Sequence, residues 1–211
     1  MKPAVSTTDS NPTESLNRRR LEHIRTYRKH PECAMIQDGA RTVQTRYAPG
    51  DPLHSEVELG LGYGMKVPVG VHRALGGLHD FPNPGDILCS ALAACADSTL
   101  RQIAGQLDVE ITKLTVTVAG DVDVRGTLCV SREAPVAFQQ MNLRVDLELA
   151  PGTMPKLEAK LLAAAEHCCV VLQTLRNGVP VTVELNNADA RSQPATPTRA
   201  TTGATARDAA M

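Results

Sequence analysis

The sequence predicts an α+β fold, with a mostly antiparallel sheet and helices on one face. Three observations carry this. The segments "VEITKLTVTVAGDVDV" (109–124) and "AFQQMNLRVDLEL" (137–149) alternate apolar and polar residues and read as an antiparallel strand pair. "NPGDILCSALAACADSTLRQIAGQL" (83–107) is the strongest helical pattern in the chain. The remaining helical segments are grouped, rather than alternating one-for-one with strands as a parallel sheet would require.

Taken in order, residues 1–13 are polar and rich in Ser, Thr and Pro, and residues 188–211 are dominated by Ala, Thr and Arg. Neither has an apolar period, so both are expected to be disordered tails around a folded part at 14–187. Leu16, Leu21, Ile24 and Tyr27 predict a short amphipathic helix that stops near Pro31 and has only a weak N-cap. Six cations crowd it: Arg18, Arg19, Arg20, Arg25, Arg28 and Lys29. A solvated charged face is the plain reading; contact with nucleic acid or an anionic membrane is the alternative. "ARTVQTRYA", "HSEVELGLGY" and "MKVPVGVHR" read as short strands, and the Gly-rich 74–86 as a loop with no phosphate-binding context.

The long helix follows. Pro84 suits its first turn, and Ile87, Leu88, Ala91, Leu92, Cys95, Leu100 and Ile103 follow a helical period. It is apolar nearly all round from 87 to 96, which predicts a central, buried element ending at Gly105. After the two long strands, "MPKLEAKLLAAAEHC" (154–168) returns to a helical period. "CVVLQTLRN" forms a shorter helix stopped by Gly178, and "VPVTVEL" (179–185) reads as a last strand.

Composition excludes several classes. Aromatics are only 2%, with no Trp, so the core must be built from aliphatic side chains. Such a modest core gains from an extensive subunit interface. A net charge near −1 gives no global field to attract nucleic acid. No apolar run is long enough to cross a bilayer, and the N-terminal stretch has no secretory h-region, so a reducing cytoplasm is expected.

Six cysteines then need an explanation: Cys33, Cys89, Cys95, Cys129, Cys168 and Cys169. The chain is neither small nor visibly secreted, which disfavours a disulfide framework. No set has metal-ligand spacing, so no metal or cofactor is expected. Cys33, Cys89, Cys129 and Cys168 read as small core fillers. Cys95, mid-helix on the apolar stripe, and Cys169, where one helix ends and another begins, admit a redox reading. A thiol at a helix start faces unpaired N–H groups that favour thiolate. The residues alone leave core packing and a redox pair both open.

Two stretches, "NPGDILCSALAAC" (83–95) and "AEHCCVVLQTL" (165–175), resemble the OsmC/Ohr family of organic hydroperoxide resistance proteins. "VTVAGDVDVRG" and "APVAFQQMNLRVDLEL" resemble that family's long strands, and the likeness spans about 33–187. The resemblance implies an intertwined homodimer with curved sheets over a long central helix. It implies that Cys95 is the peroxidatic thiol and that Cys169 closes a Cys95–Cys169 disulfide. It also implies an organic hydroperoxide substrate and a dithiol reductant such as a lipoylated protein. The family's activating Arg corresponds to the loop holding Arg73. Asp86 stands where OsmC-like members carry an acid, whereas the hydroperoxidase-type Glu falls on Gly85. Two features depart from the family pattern: Val170 replaces a Pro, and Cys168 adds a thiol beside Cys169. A non-catalytic redox-sensing or ligand-binding dimer is the second reading of the same features.

Overall fold

The computed structural model describes residues 12–44, 46–154 and 156–186. The predicted tails lie outside them, except for Pro12 and Thr13, which begin the first helix. That helix, α1 (Pro12–Lys29), is longer than the apolar spacing suggests. A 3-10 turn at Pro31–Ala34 follows. The strands β1 (Ala40–Thr42), β2 (Ser55–Leu59) and β3 (Lys66–Val69) form a three-stranded antiparallel sheet in sequence order. The long helix α2 (Pro84–Gln106) leads to β4 (Ile111–Val122), a short α3 (Val124–Thr127) and β5 (Phe138–Leu149). Helices α4 (Leu157–Cys168) and α5 (Val170–Asn177) close the described order.

β4 and β5 pair antiparallel along nearly their whole length, with Val116 opposite Val145 and Val118 opposite Leu143. Their alternating apolar side chains put one face against the helices. Leu100 and Ala104 of α2 meet Leu161 and Ala165 of α4 over Leu114, Val116, Val145 and Leu147 of the sheet. The small Ala104 and Ala165 let the two helix backbones approach, and the two leucines fill the seam between them. A second cluster continues this core toward the start of α2, with Leu92, Ala96 and Cys169 over Val118, Met141 and Leu143. The α+β prediction therefore holds, with the antiparallel strands divided between two sheets rather than gathered in one.

Phe138 shows how tightly the start of α2 sits on β4. A Cβ on Gly120 would fall 2.6 Å from the Phe138 ring, and one on Gly85 would fall 3.3 Å from it. Both positions stay bare so that the ring can lie between strand and helix. Gly105 likewise makes room for α1, since a Cβ there would fall 2.9 Å from a methyl carbon of Thr13. It is a point of close approach rather than the end of α2, which continues to Gln106. Asn17 fastens the contact by donating to the Gly105 carbonyl at 3.0 Å, and Arg20 donates to Gln102 at 3.0 Å.

Three expectations need correction. The segment 179–185 forms no strand, and Val179, Val181, Val183 and Leu185 are exposed. Its alternation is real, but the described residues of one chain offer it no paired edge. The start of α2 is not buried all round: only the i, i+4 stripe Leu92, Ala96, Leu100 and Ala104 is, while Ile87 and Leu88 are half-buried and Ala91 and Ala94 are exposed. Finally, Cys33, Cys129 and Cys168 are exposed and Cys89 is half-buried, so none of the four is a fully buried filler. Cys33, Cys129 and Cys168 lie in turns or at the end of an element, and Cys89 lines a cavity beside α2.

Candidate active site

Cys95 lies three turns into α2, and its side chain packs against the Leu92–Ala96–Cys169 cluster. Cys169 separates α4 from α5. Its backbone is extended (φ −74°, ψ 105°), which breaks the helix and turns the chain inward. It is only 1% exposed, whereas Cys95 is half-buried. Two thiols 74 positions apart thus meet in one apolar cluster.

The helix break is held from both sides. Cys169 N–H donates to the Ala165 carbonyl, and the Cys169 carbonyl accepts from Gln173 N–H, both at 2.9 Å. The Gln173 side chain donates to the Glu166 carbonyl at 2.7 Å, and Arg176 pairs with the Glu166 carboxylate at 3.1 Å. These two contacts tie α5 back onto the last turn of α4 and fix where Cys169 points.

Burial pushes the Cys169 thiol up from its ordinary range, and the neighbouring Cys95 thiol pushes it the same way. The Leu172 and Val171 amides at the start of α5 act in the opposite direction, without forming a side-chain cap bond. Desolvation wins, so Cys169 keeps its proton. In chemical terms Cys169 is a protonated thiol poised beside a more accessible one.

Beside this pair opens a cleft of about 690 Å³, lined by Leu92, Met141, Leu143, Leu162 and Leu172, with Glu166 and Arg176 also on its wall. Leu92, Met141, Leu143 and Leu172 also belong to the thiol cluster. An apolar group in the cleft would therefore sit against the residues that surround the two sulfurs. A larger cavity of about 1310 Å³ lies between the three-stranded sheet and the α2–β4 face, with His54, Asp86, Cys89 and Phe138 on its wall.

The other two predicted site residues lie outside the thiol cluster. Arg73 opens a 3-10 turn (Arg73–Leu75) in the loop before α2 and is exposed. Asp86 completes a capping box at the start of α2. Its carboxylate accepts from Asn83 N–H at 2.9 Å and from the Asn83 side chain at 2.6 Å, while Asn83 Oδ1 accepts from Gly85 and Asp86 N–H. Nine residues of helix put Asp86 about 13.5 Å of rise and about two and a half turns from Cys95, so it lies on the opposite side of α2. Gly85 leaves no room for the Glu of the hydroperoxidase type. A Cβ there would lie 2.9 Å from Asn83 Oδ1 and 3.3 Å from the Phe138 ring.

Reading the sequence did not single out Glu166, Gln173 and Arg176 as the brace of the site. Their contacts span a helix break, where no periodic pattern relates one side to the other. Among the described residues no group of three or more His, Cys, Asp or Glu side chains is placed to hold a metal ion, and no helix is long and apolar enough to cross a membrane.

Comparison with known proteins agrees with this architecture. The family model described as OsmC-like protein matches residues 77–184, just over half of the chain. Comparison with curated protein sequences gives no match. Among solved structures, an OsmC-like protein of unknown function from Vibrio cholerae O1 biovar eltor superposes with a TM-score of 0.54 at 14% identity, covering 66% of this chain and 94% of that one. An OsmC-like protein from Mycoplasma pneumoniae gives 0.53 at 14% identity, covering 68% and 89%. An organic hydroperoxide resistance protein from Elizabethkingia anophelis gives 0.46 at 19% identity, covering 68% and 91%. The matched region runs from the loop before α2 through α5 and so contains both thiols, the brace around Cys169 and the strand pair beneath them: the chain belongs to the OsmC-like protein family.

Proposed function

We propose that this chain is a cysteine-based thiol peroxidase that reduces organic hydroperoxides. The observation that carries the reading is the meeting of Cys95 and Cys169 in one cluster beside an apolar cleft. Family membership and the resemblance of both cysteine stretches to the OsmC/Ohr pattern support it.

The half-buried Cys95, as thiolate, attacks the distal peroxide oxygen. The O–O bond breaks, the alkoxide leaves and takes a proton to become an alcohol, and Cys95 becomes a sulfenic acid. The Cys169 thiol then attacks the Cys95 sulfur. An S–S bond forms, and the sulfenic hydroxyl leaves with the thiol proton as water. An external dithiol restores both thiols. The cleft takes the organic part of the peroxide, which favours an alkyl or aryl hydroperoxide over hydrogen peroxide.

The chain acts as a homodimer in this proposal. Three apolar surfaces that one copy leaves uncovered support it: the alternating 179–185 segment, the partly exposed start of α2 and the walls of the larger cavity. Arg73 is assigned as the cation that faces the Cys95 thiolate from the partner subunit's loop, and its exposure in a single chain fits that role. Asp86 acts through the capping box, by fixing the start of α2.

The test is a mass-spectrometric thiol map after one equivalent of cumene hydroperoxide. A Cys95–Cys169 disulfide that a dithiol reverses is expected, and Cys95→Ser should abolish turnover. If Cys95 remains a free thiol, or turnover survives Cys95→Ser, the peroxidase reading fails. A non-catalytic redox-sensing dimer is the second reading, favoured by the exposed basic half of α1. Deleting residues 1–30 separates the two, because a peroxidase keeps turnover whereas partner binding through α1 is lost.

A further inference from the structure

The disulfide of the proposed cycle presents a problem of access. Cys169 is 1% exposed, and the Glu166–Gln173–Arg176 brace holds its sulfur inward. A thiol attacks a disulfide along the S–S axis, so the sulfur attacked must be open to the incoming thiol while the other sulfur leaves. Attack on the Cys169 sulfur expels Cys95 directly as the thiolate that the proposed cycle needs. The Cys169 sulfur is the one an external reductant cannot reach. The next residue in the chain, Cys168, is an exposed thiol at the last position of α4.

We propose that Cys168 is the entry thiol of the reductive half-reaction and carries reducing equivalents from the surface to the buried Cys169 sulfur. The inference rests on the disulfide chemistry proposed above and adds a residue to it. The Cys168 thiolate attacks Cys169 Sγ. The Cys168–Cys169 bond forms, the Cys95–Cys169 bond breaks, and Cys95 leaves as thiolate. A dithiol reductant then attacks the exposed Cys168 sulfur, and Cys169 leaves and takes a proton. The reductant's second thiol expels Cys168 and closes the reductant's own disulfide. Two electrons pass from the dithiol to the Cys95–Cys169 pair, and all three protein thiols are restored.

The vicinal bond suits a transient role. Neighbouring Cα atoms lie about 3.8 Å apart, shorter than the roughly 4.4–6.8 Å that a relaxed disulfide spans. Such a bond is strained and easily reduced, so it passes on its oxidation rather than storing it. Cys168 and Cys169 point to opposite sides in the reduced chain, so the exchange needs rotation at the helix break. This is the one place in 157–177 where the helical hydrogen-bond ladder is already interrupted.

The experiment starts from protein oxidised with diamide, so that it does not depend on peroxide turnover. After removal of diamide, dithiothreitol is added, and acid quenching with alkylation follows the loss of the Cys95–Cys169 disulfide by mass spectrometry. Cys168→Ser should slow that loss by at least about ten-fold, while Cys33→Ser, which removes a remote exposed thiol, keeps the wild-type rate. A Cys168→Ser rate within about two-fold of wild type overturns the proposal. A second arm uses Cys95→Ser: diamide should then yield a Cys168–Cys169 disulfide within one chain. If Cys168 instead stays free or links two chains, the relay is refuted. Failure with cumene hydroperoxide but success in both diamide arms overturns the peroxidase reading and leaves the thiol relay standing.

Discussion

The two halves of this chain are held together by different physics. In the helical half the largest side chains with almost no exposure are apolar: Leu92, Leu100, Leu161 and Cys169, all packed over β4 and β5. In the half that runs from β1 to the loop before α2, the one buried side chain among the described residues is charged. Glu58 is 5% exposed, and Arg41 donates to its carboxylate at 2.7 Å. That bond holds the Glu58 carboxyl below the usual carboxylate range. Nearby, His54 stacks on Tyr47 and packs edge-on to Phe81. The first half is a core. The second is a sheet of short strands fixed by polar ties, with its apolar surface still open. That open surface is where the second copy of the proposed homodimer would pack.

The largest expected effect follows from that difference. Leu100→Ala empties a fully buried site between α2 and α4 and should cost about 3 kcal/mol, read as a lower urea midpoint at constant m-value. Val57→Ala, on the half-buried β2, should cost under about 1.5 kcal/mol. Equal losses at the two positions would show that the first sheet has a core of its own and erase the contrast. Next in size is an effect on assembly. Val183→Asp places a charge on the alternating 179–185 segment, which is solvated in a single chain. The proposed homodimer should then dissociate at concentrations where the wild type sediments as two copies. Unchanged sedimentation would show that this segment lies outside the interface.

Most of the helical half is legible in the sequence because its patterns are long. Twelve-residue strands such as β4 and β5 and a 23-residue helix repeat their period often enough to be recognised, and they differ from expectation by only a few residues at their ends. The short strands β1 to β3 are visible only as a region, since three to five residues barely complete a period. The segment 179–185 shows the limit of pattern: alternation says that a strand is possible, but not which edge receives it. The thiol meeting shows another limit. Nothing in a separation of 74 residues brings Cys95 to Cys169: an apolar helix stripe and a helix start leave core packing and a redox pair both open, and the likeness of both stretches to one family favours the pair. The core-filler reading fails for Cys33 and Cys129 because burial is an average property of cysteine, and these two sit in turns. The ties at Glu166 and His54 join separate elements through single side chains, which leaves no periodic trace.

The smallest expected effect concerns His54, and it tests whether the first half is polar-tied as described. One ring nitrogen lies 3.3 Å from Asp51 and the other 3.0 Å from Asp80, with the side chain 14% exposed. Both nitrogens face carboxylate oxygens, so both carry protons and the ring is an imidazolium. Its pKa is raised, chiefly by the hydrogen bond to Asp80, while Asp51 and Asp80 are lowered, chiefly by the Leu53 N–H and by His54 respectively. The signs then fix a window. The His54 contribution is full below the unfolded value of about 6.5 and is lost as pH rises through the higher folded value. The carboxylate contribution is full above about 4 and is lost as pH falls through the lowered values. The tie is therefore strongest between about pH 4 and 6.5. Thermal midpoints of wild type and His54→Asn, measured from pH 5 to 9, should differ most at the acid end and converge as pH rises. Curves that run parallel across the range would mean that His54 contributes packing on Tyr47 and Phe81 rather than charge. The β1–β3 half would then resemble the helical core more closely than its buried Glu58 suggests.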